Sequence, residues 1–348
     1  MADNNKSATN QRYLTLVLPG LHADDDAGAE NLGLARLEWL LSRADLQNGP
    51  ETTTLDECLF HLFRAQVPEG RDLPVAAVTR VLDVGVVDNA WWLRADPVHL
   101  QAQRDTLVMA ENDKLDITQS EADQLVREIL AVFADDGWVL KAPCPGRWYL
   151  QPVDAPDMQT THIDLARGGN IFPALPTGKD GQKWHTILNE LQILLHTSAV
   201  NIDREARGEL PVNSLWFWGG GKLPTLKETD WVRFWGERTV GVALARLAQI
   251  PQSGRPATAG QWLAEADAGE HLMVLDQALQ SQQSGQYESW QDFVAQLDDN
   301  WIDPLITALE RGQLQGLTLV MDKCRQFSIK SKHLRRWWRR RRSLRAYK

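Results

Sequence analysis

Apolar runs of strand length alternate with segments of helical periodicity along most of the chain. The run Tyr13–Leu21 is apolar and ends around a Pro-Gly pair, which is typical of a buried strand followed by a loop. Apolar residues then recur at helical spacing at Leu34, Leu37, Leu40 and Leu41. Because strands and helices keep alternating, the pattern predicts a mainly parallel sheet with helices on both faces.

The first half of the chain carries specific signals for helix boundaries. Thr54–Glu57 and Thr118–Glu121 each match a capping box and therefore each predict the start of a helix. Asp72 is predicted to cap a third helix, which ends before Gly85.

The second half repeats the alternation of strand and helix. Helices are predicted over residues 183–197, 240–249 and 290–309. The segments NSLWFWGG, HLMVLD and GLTLVMD predict strands, and the third of these is predicted to be the last strand of the fold.

Residues 90–180 follow a different pattern and predict an inserted unit. An extended segment, an amphipathic helix and two short strands around a Pro-rich turn predict a small α+β subdomain. The predicted division is a flexible N-terminus at 1–12, a core at 13–89 and 181–329, an insertion at 90–180 and a basic tail at 330–348.

The composition is that of an ordinary globular chain, with 43% hydrophobic and 24% charged residues. No apolar run approaches the ~20 residues that span a bilayer. The N-terminus has no apolar signal-peptide core, so a cytoplasmic protein is expected.

Cys58, Cys144 and Cys324 form no CxxC motif, which argues against a disulfide framework or a zinc knuckle. Inert thiols are expected at Cys58 and Cys144.

The charge is very unevenly distributed. Residues 330–348 contain ten basic and no acidic residues, whereas residues 1–329 contain 27 basic against 46 acidic residues, a net charge of −19. The tail has three open interpretations: it docks on the acidic body, contacts nucleic acid, or lies on an anionic membrane. The candidate contact residues for the last two are Arg335, Arg336, Trp337, Trp338, Arg339 and Arg340.

One segment carries a spaced motif. It contains, in order, Asn201, Arg204, Gly208, Pro211 and Asn213, followed by the run GGGK at 219–222. This spacing resembles a signature of the archaeal-type cofactor-independent phosphoglycerate mutases, which belong to the alkaline phosphatase superfamily. The stretch WWLRADPVHL also resembles a segment of that family. The chain is similar, too, to bacterial proteins labelled regulators of pathogenicity factors, type E.

The resemblance implies a three-layer α/β fold and a site in which two metal ions activate a Ser or Thr nucleophile. The chain departs from that pattern at several positions. Pro19 stands where an Asp is expected, and Trp218 replaces an Arg. The nucleophile is expected just before the third helix, but no serine occurs between Arg43 and Gln119, and the nearest threonine, Thr79, lies inside that helix. The last predicted strand ends in Asp322-Lys323 instead of Asp-His. We therefore expect a protein without catalytic residues, metal or cofactor, which acts by binding a small anionic ligand or a protein partner.

Several side chains are candidates for ligand binding, each with a purely structural alternative. They are Arg94, Asn201, Arg204, Asn213, Lys222, Asp276, Asp322 and Lys323. The glycine run before Lys222 is either a residual anion site or a structural loop. Lys323 is expected to act as an internal counter-ion to Asp276 or Asp322 in place of a metal.

Two further features leave alternatives open. His22, Asp24 and Asp26 form either a small oxygen-rich metal site or a solvated acidic loop. Six tryptophans near the family motifs either fill the core or line a ligand pocket; they are Trp91, Trp92, Trp216, Trp218, Trp231 and Trp235. An active metal-dependent phosphotransferase and a tail-based nucleic-acid or membrane binder remain the alternative functions.

Overall fold

The computed structural model describes residues 11–22, 34–47, 49–110 and 115–347. The strands are β1 (Arg12–Val17), β2 (Asp45–Gln47), β3 (Ala65–Gln66), β4 (Trp92–Val98), β5 (Leu100–Gln103), β6 (Thr106–Met109), β7 (Val139–Cys144), β8 (Arg147–Gln151), β9 (Ser214–Gly221), β10 (Thr225–Leu226), β11 (Trp231–Trp235), β12 (Gln252–Ser253), β13 (Gly269–Val274), β14 (Gly316–Met321) and β15 (Arg325–Ile329). The helices are α1 (Ala35–Arg43), α2 (Leu55–Leu62), α3 (Val75–Val84), α4 (Gln119–Val132), α5 (Ile163–Ala166), α6 (Gly181–His196), α7 (Ala199–Ala206), α8 (Thr239–Leu247), α9 (Ala259–Glu265), α10 (Gln277–Gln283), α11 (Tyr287–Leu297) and α12 (Asp303–Glu310).

The chain divides into two compact units. The first contains the residues up to Arg64 and from Leu226 onward, and the second contains residues 65–225. The second unit is wider than the insertion expected at 90–180, because β9 pairs with β4 and α3 packs on both strands. The domain boundaries that we predicted from the sequence therefore stay a prediction.

The first unit is built on a seven-stranded sheet in the order β12-β11-β13-β1-β14-β15-β2. The five strands from β12 to β14 are parallel, and β15 runs antiparallel to both of its neighbours. The strand GLTLVMD is therefore not the last one, because the chain turns back after it and adds β15. Within the described ranges, no helix is both long and apolar enough to cross a bilayer.

Helices cover both faces of this sheet because its strands are apolar on both sides. Leu14 and Leu16 of β1 belong to a core that includes residues of α1, α9, α11 and α12. On the other face, Phe234 packs against Phe63 at 5.9 Å and closely approaches Gly241 of α8. The long helix expected at 290–309 is found as α11 and α12 joined by a π-helical turn.

The second unit contains a four-stranded antiparallel sheet in the order β7-β8-β4-β9. Leu93 and Phe217 of this sheet share a core with residues of α4 and α6. Both capping boxes predicted from the sequence are formed, at Thr54 and at Thr118. Asp72, in contrast, does not cap α3, whose N-cap is Pro74. Gly85 ends α3 in the left-handed conformation, as a C-terminal glycine does.

Candidate functional site

Asp322 and His22 form a pair at the carboxyl end of the parallel sheet, where α/β folds place their sites. The N–H of Gly20 donates to Asp322 Oδ1 at 2.8 Å, and His22 Nδ1 lies 2.8 Å from Asp322 Oδ2. The other ring nitrogen of His22 lies 3.3 Å from the carbonyl oxygen of Leu344. Both carboxylate oxygens of Asp322 are thus engaged by groups of the first unit.

Asp276 follows β13 at the same edge of the sheet and is 1% exposed. Arg255 Nη1 lies 3.4 Å from its Oδ1, and the side-chain amide of Gln280 donates to its Oδ2 at 2.8 Å. Arg255 also approaches Glu237 at 4.0 Å. Asp276 is therefore held by an arginine that the sequence did not indicate.

Lys323 does not have the counter-ion role expected for it. Its side chain is exposed and forms no ion pair with any described carboxylate. Lys323 and Cys324 both have positive φ, 58° and 55°, where the chain turns from β14 into β15. Asp322 is contacted by His22 and Asp276 by Arg255 instead. The expectation was wrong because this left-handed turn leaves the ammonium in solvent.

The described residues at this edge do not fit a two-metal centre. Among the ranges that the structure covers, no group of three or more His, Cys, Asp or Glu side chains is arranged to hold a metal ion. One carboxylate oxygen of Asp322 and one of Asp276 accept hydrogen bonds from protein donors. Asp24, Asp25 and Asp26 lie outside the described residues.

Two cysteines that are far apart in sequence meet beside Asp322. The thiols of Cys58 in α2 and Cys324 are within hydrogen-bond reach of each other, and both are buried. The contact with Cys324, together with burial, raises the pKa of Cys58. Cys144 lies 3.1 Å from Arg147, yet burial raises its pKa as well. The raised pKa values of Cys58 and Cys144 describe unreactive thiols.

In the second unit, the two asparagines of the spaced motif tie loops to strands. Asn201 donates to the carbonyl oxygens of Leu195 and Val212, each at 2.7 Å, and accepts from the N–H of Val212 at 2.8 Å. Asn213 exchanges two hydrogen bonds with the backbone of Leu100, at 2.7 and 2.8 Å. Both amide groups are therefore committed to the fold.

Arg204 is the most deeply buried charge of the motif, at 1% exposure. It donates to the carbonyl oxygen of Leu210 at 2.9 Å and to that of Leu115, and its Nη1 lies 2.9 Å from Glu121. Arg207, which is half exposed, binds the same carboxylate at 2.6 Å. Arg204 thus fastens α7 to the start of α4 and has no donor directed at a ligand site.

Arg94 is also enclosed by protein groups. It forms a bidentate pair with Asp96, in which Nε and Nη2 lie 2.9 and 2.7 Å from Oδ1. The indole N–H of Trp218 donates to the other carboxylate oxygen at 2.8 Å. The sequence alone did not identify Asp96 as the partner of Arg94. Alternate residues of a strand face the same side, so the order Arg-Ala-Asp in β4 was a usable signal.

The glycine run is required by close packing at the end of β9. A Cβ at Gly220 would lie 2.6 Å from Trp91, and one at Gly221 would lie 2.7 Å from Cβ of Pro74. The N–H of Gly220 donates to the carboxylate of Asp72, which also accepts from the N–H of Thr160 at 3.1 Å. Burial raises the pKa of Asp72 despite these donors. A carboxylate of the protein thus accepts the hydrogen bond of the Gly220 N–H, which is then not available to a phosphate.

Lys222 lies at a cavity of about 480 Å³ within the second unit. Its side chain is exposed, and Asp72, Arg71 and Trp91 also line the cavity. Arg71 lies 3.4 Å from Asp157, which is a further lining residue. Of the ligand candidates in the second unit, only Lys222 has a side chain that faces open space in this way.

The tryptophans near the family motifs mostly fill the interior. Trp92, Trp216, Trp218 and Trp235 are no more than 4% exposed. Their indole N–H groups all donate to protein acceptors, as does that of Trp231. Of these six tryptophans, only Trp91 lines the cavity beside Lys222.

In the described part of the chain, the basic tail packs against the rest of the first unit. Arg336 donates to Asp45 at 3.0 Å and to the carbonyl oxygen of Arg43 at 2.8 Å. The N–H of Leu344 donates to Glu38 at 2.9 Å, and its side chain enters the core. Only short 3₁₀ turns form, at 331–335 and 344–347. Of the candidate contact residues, Arg336 and Arg339 are held by the body, whereas Arg335, Trp337, Trp338 and Arg340 are exposed.

Comparison with known proteins gives homology at low identity. No protein-family model matches the chain. A probable 2,3-bisphosphoglycerate-independent phosphoglycerate mutase of Geobacter sulfurreducens is 28% identical over 156 residues, which are 44% of this chain and 38% of that protein. The corresponding enzyme of Methanosarcina mazei is 34% identical over 80 residues, which are 23% of this chain and 20% of that protein. The matched segments thus span less than half the length of these relatives.

Likeness to a solved structure supports the predicted fold class. The PH0037 protein of Pyrococcus horikoshii superposes with a TM-score of 0.52 at 13% identity, covering 92% of this chain and 87% of that one. A cofactor-independent phosphoglycerate mutase of Thermoplasma acidophilum gives a TM-score of 0.44 at 16% identity, covering 92% and 90%. Together with the homology, the first likeness establishes an alkaline phosphatase-like α/β fold with a large, mainly parallel sheet.

Proposed function

We propose that this chain is a phosphoglycerate-mutase-like protein that has lost metal-dependent phosphoryl transfer and acts by binding. The low-identity homology supports the first half of the proposal. The second half is supported by replacements at several positions that the chemistry needs, since the expected nucleophile, the first Asp, the His expected after Asp322 and the Arg replaced by Trp218 are changed together.

The strongest support for the proposal is that the polar atoms of the candidate residues hydrogen-bond to other protein groups. A site for a phosphorylated substrate needs donors that point into open space, and a metal centre needs several carboxylate or histidine ligands gathered around one point. Here Arg94, Asn201 and Arg204 donate to protein acceptors, and Asp322 accepts from Gly20 and pairs with His22. These residues maintain the architecture of the family while their hydrogen-bonding capacity is used internally.

The cavity beside Lys222 is the best remaining place for a small anionic ligand in the second unit. Its ammonium is exposed, and Arg71 adds a second cation to the lining. Asp72 and Asp157 reduce the positive charge, so a ligand with one anionic group suits the cavity better than a bisphosphate.

Metal binding tests the proposal. The purified chain is incubated with Mn²⁺ or Zn²⁺, passed through a desalting column and analysed for metal, beside Asp322→Asn and Lys323→Met variants. We expect no stoichiometric metal in any of the three proteins. One or two metal ions per chain that are lost in Asp322→Asn and retained in Lys323→Met would overturn the proposal and indicate an active phosphotransferase with rearranged ligands.

A further inference from the structure

The docked tail creates a cavity of about 640 Å³ on the first unit, which we call the tail pocket. Its walls come from the end of α1, from β2 and β15 and from the last residues of the chain. The lining residues are Leu41, Ser42, Ala44, Leu46, Arg325, Phe327, Trp338, Arg339, Arg340, Arg342, Ala346 and Tyr347. Its volume lies within the range of about 300–1,000 Å³ that is typical of small-molecule sites.

The tail pocket concentrates positive charge. Four arginines line it, and no carboxylate is among its described lining residues. Arg339 is balanced in part by Asp45, at 3.6 Å, whereas Arg340 and Arg342 form no ion pair with the residues that the structure describes. Guanidinium groups gathered in this way repel one another, and an anion with several oxygens would relieve the repulsion.

Aromatic side chains give the tail pocket a second property. Phe327 and Tyr347 meet edge to face, with ring centroids 5.7 Å apart and an interplanar angle of 84°. Trp338 also lines the pocket and is 62% exposed, so much of its indole surface is accessible to a flat partner. Burial raises the pKa of Tyr347, which keeps its hydroxyl protonated as a hydrogen-bond donor. Arginine beside an open aromatic ring suits a phosphate joined to a stacking base.

We infer that the tail pocket binds a phosphorylated small molecule with a planar base, of the size of a nucleoside diphosphate. The arginines hold the phosphates, and Trp338 stacks on the base. A free nucleotide suits the site better than a nucleic acid strand, because residues 1–329 carry a net charge of −19 and repel a long polyanion. This inference is independent of the function proposed above, since the tail pocket contains none of the residues used there.

Calorimetric titration at low salt tests the inference, with ADP and inorganic pyrophosphate as the two probes. Arg340→Gln/Arg342→Gln should weaken the binding of both probes by at least about tenfold, the factor that corresponds to 1.4 kcal/mol. Both arginines are exposed, so the double variant should remain folded. Trp338→Leu should weaken ADP binding and leave pyrophosphate binding within about twofold.

One control locates the effect. Arg335→Gln removes an exposed charge from the same tail outside the pocket. This variant should not change ADP binding. The inference is overturned if the parent binds neither probe, if Arg335→Gln weakens binding as much as the double variant does, or if a single-stranded oligonucleotide binds more tightly than ADP.

Discussion

Replacement of Arg204 separates a structural role for the spaced motif from a role in binding. Arg204→Met keeps most of the side-chain volume and removes every donor. The carbonyl oxygens of Leu115 and Leu210 then lose a charged donor inside the protein, while Glu121 keeps its contact with Arg207. Each hydrogen bond from a charged donor contributes about 1.5–3 kcal/mol, so we expect a loss of about 3–5 kcal/mol in the free energy of unfolding. Native domains have only about 5–15 kcal/mol in total.

Arg207→Met is the matched control, because Arg207 binds the same carboxylate from a half-exposed position. Solvent screens this contact, so the control should unfold like the parent. Urea denaturation followed by circular dichroism at neutral pH compares the three proteins. Equal midpoints for Arg204→Met and the parent would refute the reasoning, as would equal losses in the two variants. A stable Arg204→Met protein that had lost ligand binding would instead identify Arg204 as a contact residue.

Three further results are expected. Gly220→Ala should cost about 1–3 kcal/mol by overpacking against Trp91, whereas Gly146→Ala, which meets no atom within 4 Å, should leave the urea midpoint unchanged. Lys323→Met should leave the thermal midpoint unchanged because its ammonium is exposed, and a clear decrease would restore the counter-ion role. Burial lowers the pKa of His271 below its ordinary 6.5, so the unfolded state takes up its proton first and stability should fall as pH decreases from 6.5. In His271→Gln that decline should be smaller, and an unchanged pH dependence in urea titrations would contradict the assignment.

The elements that the sequence predicted well are those controlled by neighbouring residues. The capping boxes at Thr54 and Thr118 form because their partners lie three residues away. Asp72 carried a similar signal, but a tertiary contact with Thr160 draws its carboxylate away from the helix. The strand β15 was missed because its polar positions break the apolar run and its pairing depends on β14.

The candidate site was less predictable because its contacts join distant residues. His22 and Asp322 are separated by 300 positions, and no local pattern indicates that they meet. The same holds for Cys58 and Cys324, whose contact depends on how α2 packs beside the turn after β14. The sequence identified Asn201, Arg204 and Asn213 as candidates, but only the structure shows that their side chains hydrogen-bond to protein groups.

Conversion of 3-phosphoglycerate to 2-phosphoglycerate is the reaction that tests the central claim most directly. It is followed by phosphorus NMR with added Mn²⁺, and an active cofactor-independent mutase is run under the same conditions as a positive control. The account predicts no product above the protein-free background for the parent chain. Product formation by the parent that disappears in Asp322→Ala would contradict it.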